Sequence, residues 1–286
     1  MSQAKIAIIT GASSGQSCAP ICTGIGRATA VALAEAGWSV TLTARRETQL
    51  LETRSVCIQS RKDRTGTDIG EDSFLVAPGD ITNEEFIRQL FAKTVEKFGR
   101  VDMIFNNAGI SANGTLTEDL SLDTFNAVMT TNVTAPFMCT REAIRVFKAQ
   151  NPPGGRIVNN GSLAAHAPRP NSLAYTVAKH AITGLTKSTA LDGRAHNIAC
   201  TQIDIGNAYT PMSSAHNGPS LLPTDTNPEE DRNIMHLQPY GKMAPEGSFD
   251  VKFVASQIVS IASLPNSVTV LEFNIMATNM PYVGRG

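Results

Sequence analysis

K-I-A-I-I-T-G-A-S-S-G, residues Lys5–Gly15, and G-I-G-R-A-T-A-V-A-L-A, residues Gly24–Ala34, decide how this chain folds. A short apolar run that ends in glycines reads as a first strand, and the small-residue run after it reads as a helix. Glycines in such a strand-to-helix turn let the backbone approach a pyrophosphate, and the free amides and dipole at the helix start attract its charge. Gly11, Ser13, Ser14, Gly15, Gly24, Ile25 and Gly26 are therefore the candidate phosphate-binding residues. Removing nine residues, either Gly15–Thr23 or Gln16–Gly24, leaves an uninterrupted T-G-A-S-S-G-I-G. The inserted G-Q-S-C-A-P-I-C-T lies inside the turn itself. Three alternatives stand: it loops outward and leaves both ends in place, it spoils the cradle, or it reflects a fault in how the coding sequence was assembled.

Beyond this unit, apolar strand-like runs alternate with helical patterns, the signature of βαβ units and a parallel sheet. Strands are expected at Lys5–Thr10, Ser39–Ala44, Ser73–Pro78, Val101–Asn106, Arg156–Asn160, Ile198–Ile203 and Val268–Ile275. Helices are expected at Gly26–Ala36, Asn83–Phe98, Leu122–Ala149, Ser172–Asp192 and Asp250–Ser263. The fold class is α/β: a Rossmann-type doubly wound parallel sheet of about seven strands with helices on both faces. The whole chain, 1–286, reads as one domain. Ser55–Asp72 is polar and aperiodic, which predicts that the second helix frays into a long exposed loop. Residues 207–247, rich in Pro, Asn, Asp and Ser, follow a strand's carboxyl end and read as a substrate lid within the domain.

With 42% hydrophobic and 17% charged residues, the composition is that of an ordinary globular protein. A formal net charge of −1 gives no electrostatic case for nucleic acid or an anionic membrane as a partner. No apolar run reaches transmembrane length and the first one is too short for a signal peptide, so a cytoplasmic location is expected. Five cysteines, an odd count without a C-x2-C pair, support neither a disulfide framework nor a metal site, and Cys18 and Cys22 read as incidental thiols.

The spacing that carries chemistry is S-x12-Y-x3-K: Ser162, Tyr175 and Lys179. Tyr175 and Lys179 sit four apart in a helical stretch and share one face. An ammonium there favours the phenolate and lets the tyrosine exchange protons as an acid or base. Ser162, after the strand-like R-I-V-N-N-G, can hydrogen-bond a substrate carbonyl or alcohol. At the end of the second strand the chain has T-A-R-R (Thr43–Arg46), where an NAD-binding turn would carry Asp or Glu for the ribose diol. Arg45 suits a 2′-phosphate instead, so NADP(H) is preferred over NAD(H). G-D-I-T, with Asp80 and Ile81, and N-N-A-G, with Asn107, Ala108 and Gly109, put small and polar residues at the next two strand ends.

Taken together, T-G-A-S-S-G…G-I-G, G-D-I-T, N-N-A-G, T-N-V-T, S-x12-Y-x3-K and the C-terminal strand resemble the short-chain dehydrogenase/reductase family, in its small single-domain branch. The likeness spans nearly the whole sequence. It implies that Tyr175 is the general acid in ketone reduction and the base in alcohol oxidation, and that Ser162 orients the substrate oxygen. It implies that Lys179 holds the nicotinamide ribose and acts on the tyrosine. Asn132, in T-T-N-V-T-A-P-F, matches the asparagine that holds a water linking Lys179 to solvent; the alternative is a buried amide serving helix packing near Pro136. Asp80 and Ile81 are assigned to the adenine, and Asn107, Ala108 and Gly109 to the nicotinamide ribose region. The usual P-G-x-V-x-T is I-G-N-A-Y-T here, so Gly206 and Thr210 match while Ala208 is a weaker match for the carboxamide contact. His166, Pro168 and Asn171 border the substrate, with His166 read as a plain pocket-wall or surface residue.

The resemblance implies an NADP(H)-dependent oxidoreductase acting on a small to medium carbonyl or alcohol, a reaction suited to specialised metabolism. It further implies a homodimer or homotetramer joined through the C-terminal strand and tail. Met212, Leu221, Leu222, Met235 and Leu237 point to a moderately apolar ligand or simply anchor the excursion. Two competitors remain. One is a nucleotide-binding protein without turnover, if the insertion at 15–24 disrupts the turn; the other is an epimerase or dehydratase of the extended branch, whose longer chain and larger C-terminal domain are not seen.

Overall fold

A computed structural model describes residues 4–13, 24–67, 69–112, 114–210 and 234–283. The strands are β1 (Ile6–Thr10), β2 (Ser39–Ala44), β3 (Phe74–Pro78), β4 (Met103–Asn106), β5 (Gly155–Asn160), β6 (Ile198–Ile205), β7 (Ala208–Tyr209), β8 (Ile234–Leu237), β9 (Met243–Glu246), β10 (Phe249–Asp250) and β11 (Glu272–Ile275). Seven of them form one parallel sheet in the order β3-β2-β1-β4-β5-β6-β11.

All five residues of β1 are buried, as a strand covered on both faces requires. Because successive side chains point to opposite faces, Ala7 and Ile9 enter one core with Met103, Phe105 and Val158. Ile8 enters the other with Ile104 and Ile157. The first core is closed by α1 (Ile25–Glu35), α2 (Glu47–Thr65) and α7 (Val251–Ser263), through Leu33, Leu50, Val254 and Ile258. The second is closed by α3 (Glu84–Phe98) and α5 (Ala135–Ala149), through Ile87, Leu90, Phe91 and Phe147. Helix α3 begins where the Asn83 side chain accepts from the Phe86 amide (3.0 Å) and ends at Gly99, whose φ of +81° is left-handed. Arg156 of β5 is buried and donates to the carbonyls of Leu264, Pro265 and Val268 (3.3, 3.1 and 3.0 Å), which fastens the end of α7 to the sheet. Burial pushes its guanidinium below the usual range.

Four segments differ from the sequence expectation, the simplest being the strand expected at Val268–Ile275, which forms only over Glu272–Ile275. Ser55–Asp72 does not fray into a loop at Ser55: α2 continues to Thr65 and stops at Gly66, φ +67°. Its pattern is aperiodic because it buries only Leu50, Thr53 and Cys57, while polar residues on its flanks carry the rest. Ser60 and Arg64 bond Glu35, Arg61 reaches the Ala34 carbonyl (3.1 Å), and Gln59 bonds Asp63 (2.7 Å). The expected helix Leu122–Ala149 is three pieces, α4 (Leu122–Met129), a π-turn over Thr130–Thr134, and α5. Within 207–247 the polar composition hides short strands: β8 pairs with β9 in a hairpin turned at Gly241, φ +80°, and β7 pairs with β10 just beyond the range. Residues 211–233, with Met212, Leu221 and Leu222, lie outside the described residues. No helix among the described residues is long and apolar enough to cross a membrane.

Candidate active site

Between β1 and β4 the winding direction of the sheet reverses, which opens a crevice at the strands' carboxyl ends. Gly11, with φ +66°, turns the chain there. A Cβ on Gly26 would lie 2.3 Å from the Gly11 carbonyl oxygen and 2.6 Å from Asn107 Nδ2, so α1 packs backbone to backbone against the turn. Gly24 precedes α1 and gives its first amides no side-chain cap, which leaves Ile25 and Gly26 at an open helix start. The turn is braced from β2 and α2: the Ala12 amide donates to the Thr43 carbonyl (3.2 Å) and Thr53 Oγ1 to the Ala12 carbonyl (3.0 Å). Ser13 is described; Ser14, Gly15 and the inserted residues, Cys18 and Cys22 included, lie outside the described residues.

Along the crevice from this turn, Arg45 stands exposed just beyond β2. Asp80 Oδ1 accepts from the Thr82 amide (2.9 Å) and hydroxyl (2.8 Å). The Thr82 amide above all, with its hydroxyl and the Arg45 charge, holds the Asp80 carboxyl below the usual carboxylate range. Ile81 next to it is buried. On the other side, Thr10 Oγ1 accepts from the Asn107 and Ala108 amides (2.9 and 3.0 Å). Asn107 Nδ2 donates to the Thr10 carbonyl (2.8 Å) and its Oδ1 accepts from Asn160 Nδ2 (3.0 Å), so its side chain ties the ends of β1, β4 and β5 together. Gly109 lies against Asn132, whose Oδ1 would be 3.2 Å from a Cβ there.

The S-x12-Y-x3-K residues come from the end of β5 and from α6 (Leu173–Asp192). Lys179 is buried, donates to the Asn160 carbonyl (2.6 Å), and sits with Nζ 5.3 Å from the centroid of the Tyr175 ring. Ser162 Oγ accepts from the Ala164 amide (3.2 Å), and its own hydrogen has no acceptor among the described residues. A hydroxyl so held has a proton to offer to another oxygen. Asn132, in the π-turn, is buried and closes on both polar groups of Ile110, accepting from its amide and donating to its carbonyl (2.8 Å each). The asparagine therefore fixes the Gly109–Ile110 loop.

After β6, Gly206 lies under Met276, Met280 and Leu163, while Ala208 and Thr210 are buried. Asn207 between them belongs to a polar cluster the sequence reading did not find. Arg169 Nη1 donates to Glu246 Oε1 (2.7 Å) and Nη2 to Oε2. Gln238 Nε2 donates to Oε1 (2.8 Å) and Asn207 Nδ2 to Oε2 (2.9 Å). Burial acts to raise the Glu246 carboxyl, but the bonds from Arg169, Gln238 and Asn207 outweigh it and hold the group down at about 2. The cluster joins the loop after Ser162, the end of β6 and the β8–β9 hairpin at one node. Asp204 was missed too. It is wholly buried under the Ser162 turn and bonded to His166 (2.7 Å), which lies at the surface as expected and also pairs with this carboxylate. Its signal was an acidic residue flanked by Ile203 and Ile205 at the end of β6.

Cys57, Cys139 and Cys200 are free and buried, and burial pushes their thiols up to about 12, so they contribute no nucleophile. Among the described residues no group of His, Cys, Asp and Glu could hold a metal ion.

This geometry has close relatives. Residues 5–219 match the family described as short chain dehydrogenase. A 3beta-hydroxysteroid dehydrogenase from Mediterraneibacter gnavus is 33% identical over 209 residues, 73% of this chain and 68% of that protein. A levodione reductase from Leifsonia aquatica is 27% identical over 259 residues, 90% of this chain and 89% of that protein. Among solved structures, the acetoin dehydrogenase YohF of Salmonella typhimurium superposes with a TM-score of 0.72 at 28% identity, covering 96% of this chain and 94% of that one. The chain belongs to the short-chain dehydrogenase/reductase family, the NAD(P)(H)-dependent oxidoreductases of carbonyl and alcohol substrates.

Proposed function

We propose that the chain is an NADP(H)-dependent oxidoreductase that interconverts a carbonyl and a secondary alcohol on a small to medium organic substrate. The observation that carries this reading is the buried ammonium of Lys179 held 5.3 Å from the Tyr175 ring, on the helix that follows the Ser162 turn. In reduction Tyr175 gives its phenolic proton to the carbonyl oxygen, and in oxidation it takes a proton from the alcohol. Lys179 keeps positive charge beside the phenol as that proton leaves, and Ser162 donates its free hydrogen to the same substrate oxygen. Asn132 holds the Gly109–Ile110 loop at the crevice wall. The names of the relatives above, a hydroxysteroid dehydrogenase, a levodione reductase and an acetoin dehydrogenase, share this carbonyl–alcohol chemistry.

The residues present fit a dinucleotide. The backbone contact of Gly11 with Gly26, the open start of α1, and the strand ends carrying Asp80, Ile81, Asn107, Ala108 and Gly109 offer a bare path from pyrophosphate to ribose. Gly206, Ala208 and Thr210 would close on the carboxamide, and Lys179 would bond the nicotinamide ribose. When bound, the cofactor supplies the hydride for the substrate carbon. The cation of Arg45 beside Asp80, with no acidic residue at the end of β2, favours a 2′-phosphate. Arg45→Asp is expected to lower the ratio of kcat/KM with NADPH to that with NADH by about tenfold or more. An unchanged ratio in steady-state assays would remove Arg45 from the phosphate site.

A second reading, nucleotide binding without turnover, rests on the insertion at 15–24. The contact between Gly11 and Gly26 favours the enzyme, because the described ends of the turn already meet. Deleting Gly15–Thr23 is therefore expected to leave kcat within about threefold of the full chain. A gain of a hundredfold in the same assay would identify the insertion as an obstruction.

A further inference from the structure

One carboxylate grips both ends of the turn that carries Ser162. Asp204 of β6 is wholly buried. Its Oδ1 accepts from the Ser162 amide (2.8 Å), where the turn begins, and its Oδ2 meets His166 Nε2 (2.7 Å), where the turn ends. A carboxylate oxygen accepts, so Nε2 is the protonated ring nitrogen. The chain passes so near that a Cβ on Gly161 would lie 2.0 Å from Oδ1. A glycine before the serine is thus required by Asp204.

Behind Asp204 the hydrogen bonds run in one direction. Asn106 Nδ2 donates to Asn159 Oδ1 (2.8 Å), Asn159 Nδ2 to Thr186 Oγ1 (2.9 Å), Thr186 Oγ1 to Gln202 Oε1 (3.4 Å), and Gln202 Nε2 to Asp204 Oδ1 (2.8 Å). Asn159, Thr186 and Gln202 each accept on one side and donate on the other, so their dipoles align and end on the carboxylate. Among the described residues His166 is the only ion-pair partner of Asp204. Buried negative charge in such a place must be matched by donors, and those donors are Ser162, Gln202 and His166. Its field is felt further off: burial first, and then Asp204, push the Tyr282 hydroxyl up.

We propose that Asp204 is the positioning residue of the catalytic serine, acting directly on the Ser162 amide and through His166 on the far end of the same turn. The role rests on the reading of Ser162 as the group that holds the substrate oxygen. Asp204→Asn keeps the shape and removes the charge, His166→Leu removes the donor, and His166→Gln supplies an amide N–H in place of Nε2–H.

Backbone hydrogen exchange tests the positioning without turnover. In Asp204→Asn and His166→Leu, exchange over residues 161–166 is expected to quicken about tenfold, with the rest of the sheet unchanged. Steady-state kinetics should then show kcat down about tenfold with KM and NADPH affinity within about twofold, and His166→Gln should restore most of both losses. The proposal is overturned by unchanged exchange at 161–166, by quickening spread through the sheet with a matching fall in melting temperature, or by His166→Gln as impaired as His166→Leu. A wild-type chain that reduces no carbonyl would overturn the oxidoreductase reading, and the exchange result would still decide the role of Asp204.

Discussion

Tyr175→Phe is expected to lower kcat for carbonyl reduction by about a thousandfold while leaving NADPH affinity within about twofold. The substitution removes one oxygen and its proton and leaves the ring that lies 5.3 Å from Lys179 Nζ. Neither Lys179 nor Asn160 depends on that oxygen: the lysine is anchored by the Asn160 carbonyl at 2.6 Å, so the cofactor side of the crevice keeps its shape. What disappears is the phenolic proton of Tyr175, while the Ser162 hydroxyl, whose hydrogen has no acceptor among the described residues, is left in place. Stopped-flow or steady-state reduction, paired with nicotinamide fluorescence titration, separates the two effects. Retention of more than a tenth of the activity would move the acid to another residue, whereas a parallel loss of affinity would make Tyr175 a binding residue.

Glu246→Gln is expected to cost about 3 kcal/mol of folding stability near pH 7, read as a shift of the urea midpoint. Glu246 is buried, and its two oxygens take the fork of Arg169 together with Gln238 and Asn207. A neutral amide cannot accept that fork and leaves a guanidinium, only 19% exposed, without a counter-charge. The pH dependence checks the same number. Folding lowers the carboxyl from 4.5 to about 2, so its stabilisation is complete above 4.5 and is lost as the pH falls towards 2. At about 1.4 kcal/mol per unit the shift is worth about 3 kcal/mol, in line with the substitution. The gap between wild type and variant should stay flat from pH 5 to 8, within about 0.5 kcal/mol, and narrow below pH 4.5. A gap that does not narrow in acid would assign the loss to packing. Arg169→Met combined with Glu246→Leu should recover part of the stability, since no charge is then left unmatched.

Most of the sheet was legible because its strands are buried on both sides and so read as unbroken apolar runs, β1 most plainly. Tyr175 and Lys179 were legible because a spacing of four on a helix is a contact that sequence alone determines. Helix α2 was not, since a helix that buries three residues and leans on Glu35 and Ala34 through polar side chains has no periodicity to find. The two carboxylates under the site were hidden for a different reason. Asp204 meets His166 across 38 residues and Glu246 meets Arg169 across 77, and pairing at such range is set by the way the chain winds, which no local pattern records. The hairpin of β8 and β9 escaped notice because its strands are short and β9 contains Pro245, where alternation has too few residues to register.

The directed file of side chains from Asn106 to Asp204 and the node at Glu246 have opposite consequences for how such a protein diversifies. Chemistry rests on a stiff keel in which every member leans on the next, so drift there is punished at once. The β8–β9 hairpin is tied to the loop after Ser162 through Glu246, and its outer residues can change while that tie and the keel stay as they are.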